Sequence, residues 1–343
     1  MIKVAIDSGT NRAGDQGRGI GFHTKLLVDH LKKHKDLEIK LIDTKSADLS
    51  EFSVVHYPGF DTHHSSLPAS FSKKTVVTIH DVIKLIYPSQ YPMGIKGKLR
   101  FLQQKLRVQK ADAIITISET SKKDIVRLLQ IPADKIHVIY LAPQPIKKLK
   151  NSKLIIKNYK LPEEFVLYVG GVNYNKNLLN LAAACKLIKT KLVLVGKETI
   201  NQNFDKPNTE TKPWQEFLKK YGSDKDVLRL GYLSDEELAQ VWSKASVYCQ
   251  PSFYEGFGLP ILEAFSHKVA VTASRTQALV EVGGDACIYF DPNDVGDMAK
   301  KIIKLLKNKD LQNKLIKNGS ERLKNFSWDK TAVETYEVYK NLL

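Results

Sequence analysis

Two carboxylates, Glu255 and Glu263, bracket a glycine-rich turn in Pro251-Ser252-Phe253-Tyr254-Glu255-Gly256-Phe257-Gly258-Leu259-Pro260-Ile261-Leu262-Glu263-Ala264-Phe265. An apolar strand, 246–249, runs into this turn, and Pro260 is expected at the first helical position, where its missing N–H costs nothing. Gly256 and Gly258 let the backbone turn tightly and let a ligand approach closely. A strand, a turn and a helix start with unsatisfied N–H groups make an anion site. Carboxylates repel phosphate, so the two glutamates are read as acceptors for hydroxyl groups. A ligand carrying both phosphate and hydroxyls is a nucleotide sugar. The plainer alternative is a structural turn with Glu255 on the surface and Glu263 in the first turn of a helix, where the dipole favours it.

The elements that must hold this segment follow from short apolar runs alternating with helix-like stretches, the pattern of βαβ units. Strands are expected at 2–6, 38–42, 53–56, 75–79, 112–117 and 136–139, with helices at 20–34, 95–110 and 119–129. A Pro/Lys-rich stretch at 142–153 breaks the rhythm and reads as a linker. A second series places strands near 165–169, 191–195, 227–230, 246–249, 269–272 and 286–289. Its helices fall near 177–188, 213–221, 234–244, 260–266, 276–280 and 294–306. The fold class is α/β, with two doubly wound parallel sheets and a ligand cleft expected between them. The boundaries expected are an N-terminal domain at 1–145, a linker at 146–160 and a C-terminal domain at 161–327. The final helix, 328–343, is N-capped by Ser327 and packs either on the second domain as an ordinary terminal helix or back on the N-terminal domain.

The chain of 343 residues suffices for two such domains, and its longest apolar runs are strand-length, far below the roughly 20 residues that span a bilayer. Three scattered cysteines (Cys185, Cys249, Cys287) lack metal spacing, so a reducing cytoplasm is the expected setting. The His63-His64 pair has no partner motif, and no metal site is expected. Residues 1–160 hold 28 Lys+Arg against 14 Asp+Glu, whereas 161–343 hold 25 against 23. A charge that lives in one half points to a partner of that half: an anionic membrane surface, a phosphate-bearing acceptor or nucleic acid. Nucleic acid is rejected, because no aromatic residues interleave with the cations and no recognition motif is present. Gly17-x-Gly19-x-Gly21 is not the dinucleotide fingerprint, which argues against a dehydrogenase.

Glu-x7-Glu within this segment resembles the donor-site signature of the retaining GT-B glycosyltransferases of family 4. Gly-Ile-Gly (19–21), Thr-Ile-His-Asp (78–81), Ile-Ser-Glu-Thr-Ser (117–121), Val-Gly-Gly…Lys-Asn (169–177) and Glu-Val-Gly-Gly-Asp-Ala (281–286) match further family pieces in order. The resemblance implies two Rossmann-like domains and transfer of a hexose, mannose favoured, to a glycan or lipid-linked acceptor in surface polysaccharide assembly. It implies no cofactor or metal beyond the donor itself, GDP-mannose first and a UDP-hexose second. By position in these motifs, Glu255 contacts the transferred sugar, Glu263 the ribose, and Gly256, Phe257, Gly258 and Leu259 the sugar and phosphate. Lys176 matches the phosphate-binding lysine, with Gly171 beside it. Gly19 and Gly21 match the N-domain glycines near the donor phosphate, His80 faces the donor sugar, and Tyr232 lies where the base binds.

Two departures stand out. Relatives often carry an arginine at the position of Gly171 or Asn175, so a second cation for the diphosphate must come from elsewhere, Arg229 and Arg18 being candidates. Ser266-His267-Lys268-Val269 stands where relatives usually have Ala-Cys-Gly-x-Pro. A sugar-nucleotide epimerase or a non-catalytic relative would share the architecture. In the helix at 95–110, Ile95, Leu99, Leu102 and Leu106 recur at helical spacing amid Lys96, Lys98, Arg100, Lys105, Arg107 and Lys110. Either the stripe faces the core and leaves a solvated basic face, or that basic face, with the apolar loop before it, docks on anionic lipid, as expected of a protein peripheral to the inner face of a membrane.

Overall fold

The computed structural model describes residues 1–10, 19–146, 160–201, 209 and 212–343. Gly17, Arg18 and most of the linker at 146–160 lie outside the described residues. The chain divides into two units, Met1–Ala142 with Phe326–Leu343, and Pro143–Asn325.

In the first unit the strands are β1 (Ile2–Asp7), β2 (Leu37–Ile42), β3 (Val54–Tyr57), β4 (Lys74–Ile79), β5 (Ala113–Thr116) and β6 (Ile136–Val138). They form one parallel sheet in the order β2-β1-β3-β4-β5-β6. Successive side chains of a strand point to opposite faces, and the two cores follow that alternation. Val4, Ile6, Val54, Val76 and Ile115 pack with helices Ile20–Leu31 and Trp328–Asn341. Ala5, Val55, Val77, Ile79 and Ile114 pack on the other face with Val108, Ile125 and Leu129. Burial on both faces explains why the central strands are nearly continuous apolar runs.

The C-terminal helix belongs to this unit. Ser327 Oγ caps it by accepting from the Lys330 N–H at 3.2 Å. Within the core, Tyr339 and Thr78 hydroxyls meet the two ring nitrogens of His56 at 2.6 and 2.7 Å, and Thr331 donates to the Tyr140 carbonyl at 2.7 Å.

The helix expected at 95–110 spans Ile95–Val108, and its core-facing reading fails. Gln104 and Val108 are its buried residues, and Phe101 packs partly buried against the core. Gln104 is accommodated because its Oε1 accepts from the amides of Ser66 and Leu67, each at 3.0 Å. Ile95, Leu99, Leu102 and Leu106 remain 82%, 61%, 52% and 54% exposed. No helix among the described residues is long and apolar enough to cross a membrane.

The second unit holds β7 (Phe165–Val169), β8 (Lys191–Val195), β9 (Val227–Arg229), β10 (Val247–Gln250), β11 (Val271–Ser274) and β12 (Cys287–Phe290). Their order is β12-β11-β10-β7-β8-β9, all pairings parallel. The chain therefore reverses direction of winding on either side of β7, and the crevice between β7 and β10 is a topological switch point. Helix Lys309–Leu323 was not foreseen from the sequence. It buries only Gln312, Leu315 and Gly319. Gly319 lets it close on helix Leu259–Ser266, since a Cβ there would lie 2.6 Å from the Phe265 ring.

After helix Leu259–Ser266, Lys268 takes a left-handed φ of 56°, closing the turn with its N–H on the Phe265 carbonyl at 3.0 Å. The unusual Ser-His-Lys sequence thus keeps the turn at the cost of strain on an exposed lysine. Left-handed backbone costs a side-chain-bearing residue about 1–2 kcal/mol, partly offset by the chain entropy a glycine loses on folding. Lys268→Gly should stabilise the protein by roughly 0.5–1 kcal/mol in urea unfolding at unchanged m-value. A loss of stability would contradict the strained-turn reading.

Candidate functional site

The crevice of the second unit is built by two loops that follow the adjacent strands β7 and β10. From β7 the chain passes Gly170-Gly171 into a single turn, Tyr174–Lys176, and enters helix Leu178–Leu187 through Asn177 at φ 54°. From β10 it runs through Pro251–Gly258 into helix Leu259–Ser266. Asparagines stitch the loops together. Asn175 accepts from the Phe253 N–H at 2.8 Å and donates from Nδ2 to the Tyr254 carbonyl at 3.0 Å. Asn177 Nδ2 donates to the carbonyls of Pro251 and Pro292 at 2.9 and 2.8 Å. The Tyr174 and Phe253 rings stack at 5.3 Å.

Lys176 lies between these two clamps. Its Nζ meets both carboxylate oxygens of Glu255, at 2.8 and 2.9 Å. Glu255 is buried, and its Oε1 also accepts from Ser252 Oγ at 2.6 Å and Gln250 Nε2 at 2.9 Å. The Tyr248 hydroxyl donates in turn to Gln250 Oε1. Burial, reinforced by neighbouring acidic groups, pushes the Tyr168 and Tyr248 hydroxyls well above their ordinary range. Both remain neutral donors. Among the described residues, Glu255 Oε2 is bonded only by Lys176, so that oxygen is the one placed to accept from an incoming hydroxyl.

At the head of the following helix, Gly258 has φ 107°, and a Cβ there would lie 2.6 Å from Leu279. Leu259, not Pro260, is the first helical residue. Pro260 at the second position still lacks an N–H at one of the places where none is needed. The Ile261 amide is taken by the Gly258 carbonyl. The Gly258 and Leu259 amides carry no hydrogen bond among the described residues. Glu263 is buried and lies beyond the helix's first turn. The plain reading of a surface Glu255 and a dipole-favoured first-turn Glu263 fails on both counts.

The other residues singled out in the sequence separate into groups. Gly256 and Phe257 lie buried in the β10 loop, and Gly171, two residues past β7, accepts on its carbonyl from the Tyr168 hydroxyl at 2.7 Å. Tyr232 follows β9 at the sheet edge and is 61% exposed, outside the hydrogen-bonded cluster. Arg229 does not supply the second cation. Its guanidinium is spent on the carbonyls of Thr199 and Gly222, at 3.3 and 3.0 Å. A carboxylate, Glu198, instead lies near Gly171 and accepts from the Val172 N–H at 3.4 Å. Among the described residues, no group of three or more His, Cys, Asp or Glu side chains is gathered to hold a metal ion.

Residues 150–322 match the family model described as Glycosyl transferases group 1, and residues 8–142 match that described as Glycosyltransferase Family 4. The chain belongs to the group 1 glycosyltransferases. It is 30% identical over 306 residues to the O-antigen chain mannosyltransferase B of Escherichia coli, covering 84% of this chain and 74% of that protein. The sucrose-phosphate synthase of Thermosynechococcus elongatus superposes over 100% of this chain and 99% of its own at a TM-score of 0.76 and 19% identity. The Anabaena protein HepE, in complex with UDP and glucose, does so over 99% and 100% at a TM-score of 0.69 and 15% identity. These two likenesses are of fold, the GT-B architecture.

In the first unit of this glycosyltransferase, Gly19 caps helix Ile20–Leu31 with φ 85°, and Gly21, the second helical residue, is buried. His80 follows β4 and lines a small cavity with His23, Thr78, Trp328 and Thr331. The His23 ring lies 6.4 Å from that of His80 and 6.0 Å from Trp328. The structure thus brings His80 to the helix that Gly19 opens. The Nδ1 atoms of His80 and His23 are buried without a partner among the described residues. Gln250, Ser252, Asn175 and Asn177 were missed in the sequence. Their available signal was polar side chains at the end of an otherwise apolar strand and in a turn beside a glycine pair.

Burial lowers the pKa of His23 to about 4 and those of His56 and His80 to about 3, His80 being further depressed by its two histidine neighbours. All three are neutral at pH 7 in the folded chain. An unfolded histidine binds its proton near pH 6.5. Between about pH 6.5 and pH 4 the unfolded state therefore holds more protons, and stability falls as pH falls through that window. Each histidine contributes a slope of up to about 1.4 kcal/mol per pH unit. Urea unfolding at pH 7 and pH 5 should show this loss, and His80→Asn should diminish it. An undiminished loss in that variant would contradict the assignment.

Proposed function

We propose that this glycosyltransferase moves mannose from GDP-mannose to a glycan or lipid-linked acceptor in polysaccharide assembly, with retention of the anomeric configuration. The observation that carries the reading is the Lys176–Glu255 pair, held at the switch point between β7 and β10 with two unoccupied helix-start amides beside it. The identity to an O-antigen mannosyltransferase supports mannose and polysaccharide assembly. The fold shared with a UDP-and-glucose complex supports a nucleoside diphosphate sugar as donor class, with a UDP-hexose as the second choice.

In this reading the donor diphosphate draws the Lys176 ammonium away from Glu255 and takes the Gly258 and Leu259 amides as further donors. Charge grows on the leaving phosphate as its bond to the anomeric carbon breaks, so donors fixed at that position gain strength in the transition state. Glu255 turns its carboxylate to the transferred sugar, and Glu263 accepts from the ribose. Gly256 and Phe257 shape the turn around the sugar, Tyr232 borders the base, and Gly171 leaves room for the phosphate. The donor-side roles expected of Gly19, Gly21 and His80 belong to the first unit and rest on the family resemblance. The acceptor hydroxyl oxygen bonds to the anomeric carbon from the face the phosphate leaves. Its proton passes to the departing phosphate oxygen, which acts as base.

A contact to the reacting sugar tightens in the transition state, whereas a ribose contact is nearly uniform. Glu255→Ala should lower kcat by about 10²–10³-fold, and Glu263→Ala should chiefly raise the donor KM, roughly tenfold. Steady-state kinetics with varied donor, on variants whose melting confirms folding, checks this. Identical changes of both parameters in the two variants would defeat the division of roles.

Since cationic and backbone donors meet the diphosphate in this reading, turnover should persist in excess EDTA. NMR coupling constants should show product with the donor's anomeric configuration. Activity lost to EDTA and restored by manganese, or an inverted product, would overturn the mechanism.

A further inference from the structure

Helix Ile95–Val108 presents two opposed faces. At 100° per residue, Phe101, Gln104 and Val108, which face the core, cluster within about 60° of one another. Leu102, Ile95, Leu106 and Leu99 cluster within a similar arc on the far side, and all four are more than half exposed. Four large apolar side chains in a row, over a helix of 14 residues or about 21 Å, are left uncovered among the described residues. Isolated exposed leucines need no explanation, but a continuous stripe marks an interaction surface.

The charges beside it identify the partner. Lys98 and Lys105 flank the stripe on one side, and Lys96, Arg100 and Arg107 on the other. No acidic residue occurs between Asp81 and Asp112, and no cation of this helix is in an ion pair among the described residues. Lys105 and Arg107 are anchored inward, on Gln130 Oε1 at 2.7 Å and the Leu67 carbonyl at 3.0 Å. Lys96, Lys98 and Arg100 remain exposed to solvent. A second copy of the chain laid against this face would oppose like charges. An apolar stripe between two rows of cations matches the layering of an anionic bilayer, acyl chains within and phosphates above.

We propose that helix Ile95–Val108 docks the protein in the plane of an anionic lipid surface, with Ile95, Leu99, Leu102 and Leu106 entering the acyl region and Lys96, Lys98 and Arg100 on the phosphates. The buried Tyr91 beneath the preceding loop and the core contacts of Gln104 and Val108 hold the helix in place. Docking therefore needs no rearrangement of the unit. The proposal is independent of the donor assignment, because none of these residues belongs to the site of the second unit.

The test is sedimentation of the full chain with phosphatidylcholine vesicles, with and without roughly a third phosphatidylglycerol. Binding is expected to the anionic vesicles alone, and to fall steeply as salt rises from about 50 to about 500 mM. Lys96→Gln with Lys98→Gln and Arg100→Gln should weaken it about a hundredfold, at about fivefold per cation. Leu102→Ser with Leu106→Ser, which leaves every charge in place, should weaken it at least about tenfold. Both variants should keep the wild-type melting temperature and its shift with GDP. Equal binding to neutral vesicles, no binding at all, or binding indifferent to the leucine changes would overturn the proposal. So would a dimer in solution that Leu102→Glu converts to monomer while vesicles go unbound.

Discussion

A carboxylate removed from water must be met by donors, or the fold around it does not hold. Glu255 is such a group, and much of the second unit's architecture serves it. Lys176 supplies the opposite charge, Ser252 and Gln250 supply two neutral donors, and Tyr248 orients Gln250. Lys176 arrives on the loop after β7 and the others on β10 and the loop that follows it, so the two loops must be fixed relative to one another. Asn175 and Asn177 do this with side-chain amides bonded to backbone carbonyls across the crevice. A site prepared in this way orients its reacting groups before the ligand arrives, which is where electrostatic catalysis draws its advantage.

The same pair explains how the ligand-free site stays stable. Lys176 neutralises Glu255, its ammonium meeting both carboxylate oxygens. Among the described residues, Lys176 is the cation bonded to Glu255. Arg229 braces the backbone between Thr199 and Gly222, and Asn175 has become a clamp.

The strands were legible because both faces of each sheet are covered, which leaves unbroken runs such as Phe165–Val169. The glycine turn and its glutamates were legible because Glu255, Gly256, Gly258, Pro260 and Glu263 crowd into one short segment after an apolar strand. Helix Lys309–Leu323 was not, since its buried residues are a glutamine, one leucine and a glycine that exists to admit Phe265. Periodicity located the apolar stripe of helix Ile95–Val108 but not the side it faces. Gln104 turns inward because a loop offers it two amides, a tertiary fact that no local pattern carries. Gln250 and Ser252 escaped notice for a related reason: their worth lies in the carboxylate they hold, several residues away.

The central claim is that Lys176 and Glu255 part to divide a nucleotide sugar between them. A crystal structure of the protein with GDP-mannose tests it most directly. The account predicts Lys176 Nζ within hydrogen-bonding distance of a phosphate oxygen and the Glu255 carboxylate on a sugar hydroxyl, with Ser252 and Gln250 still bonded to Glu255. A donor seated elsewhere, with the Lys176–Glu255 pair intact beside it, would contradict the account.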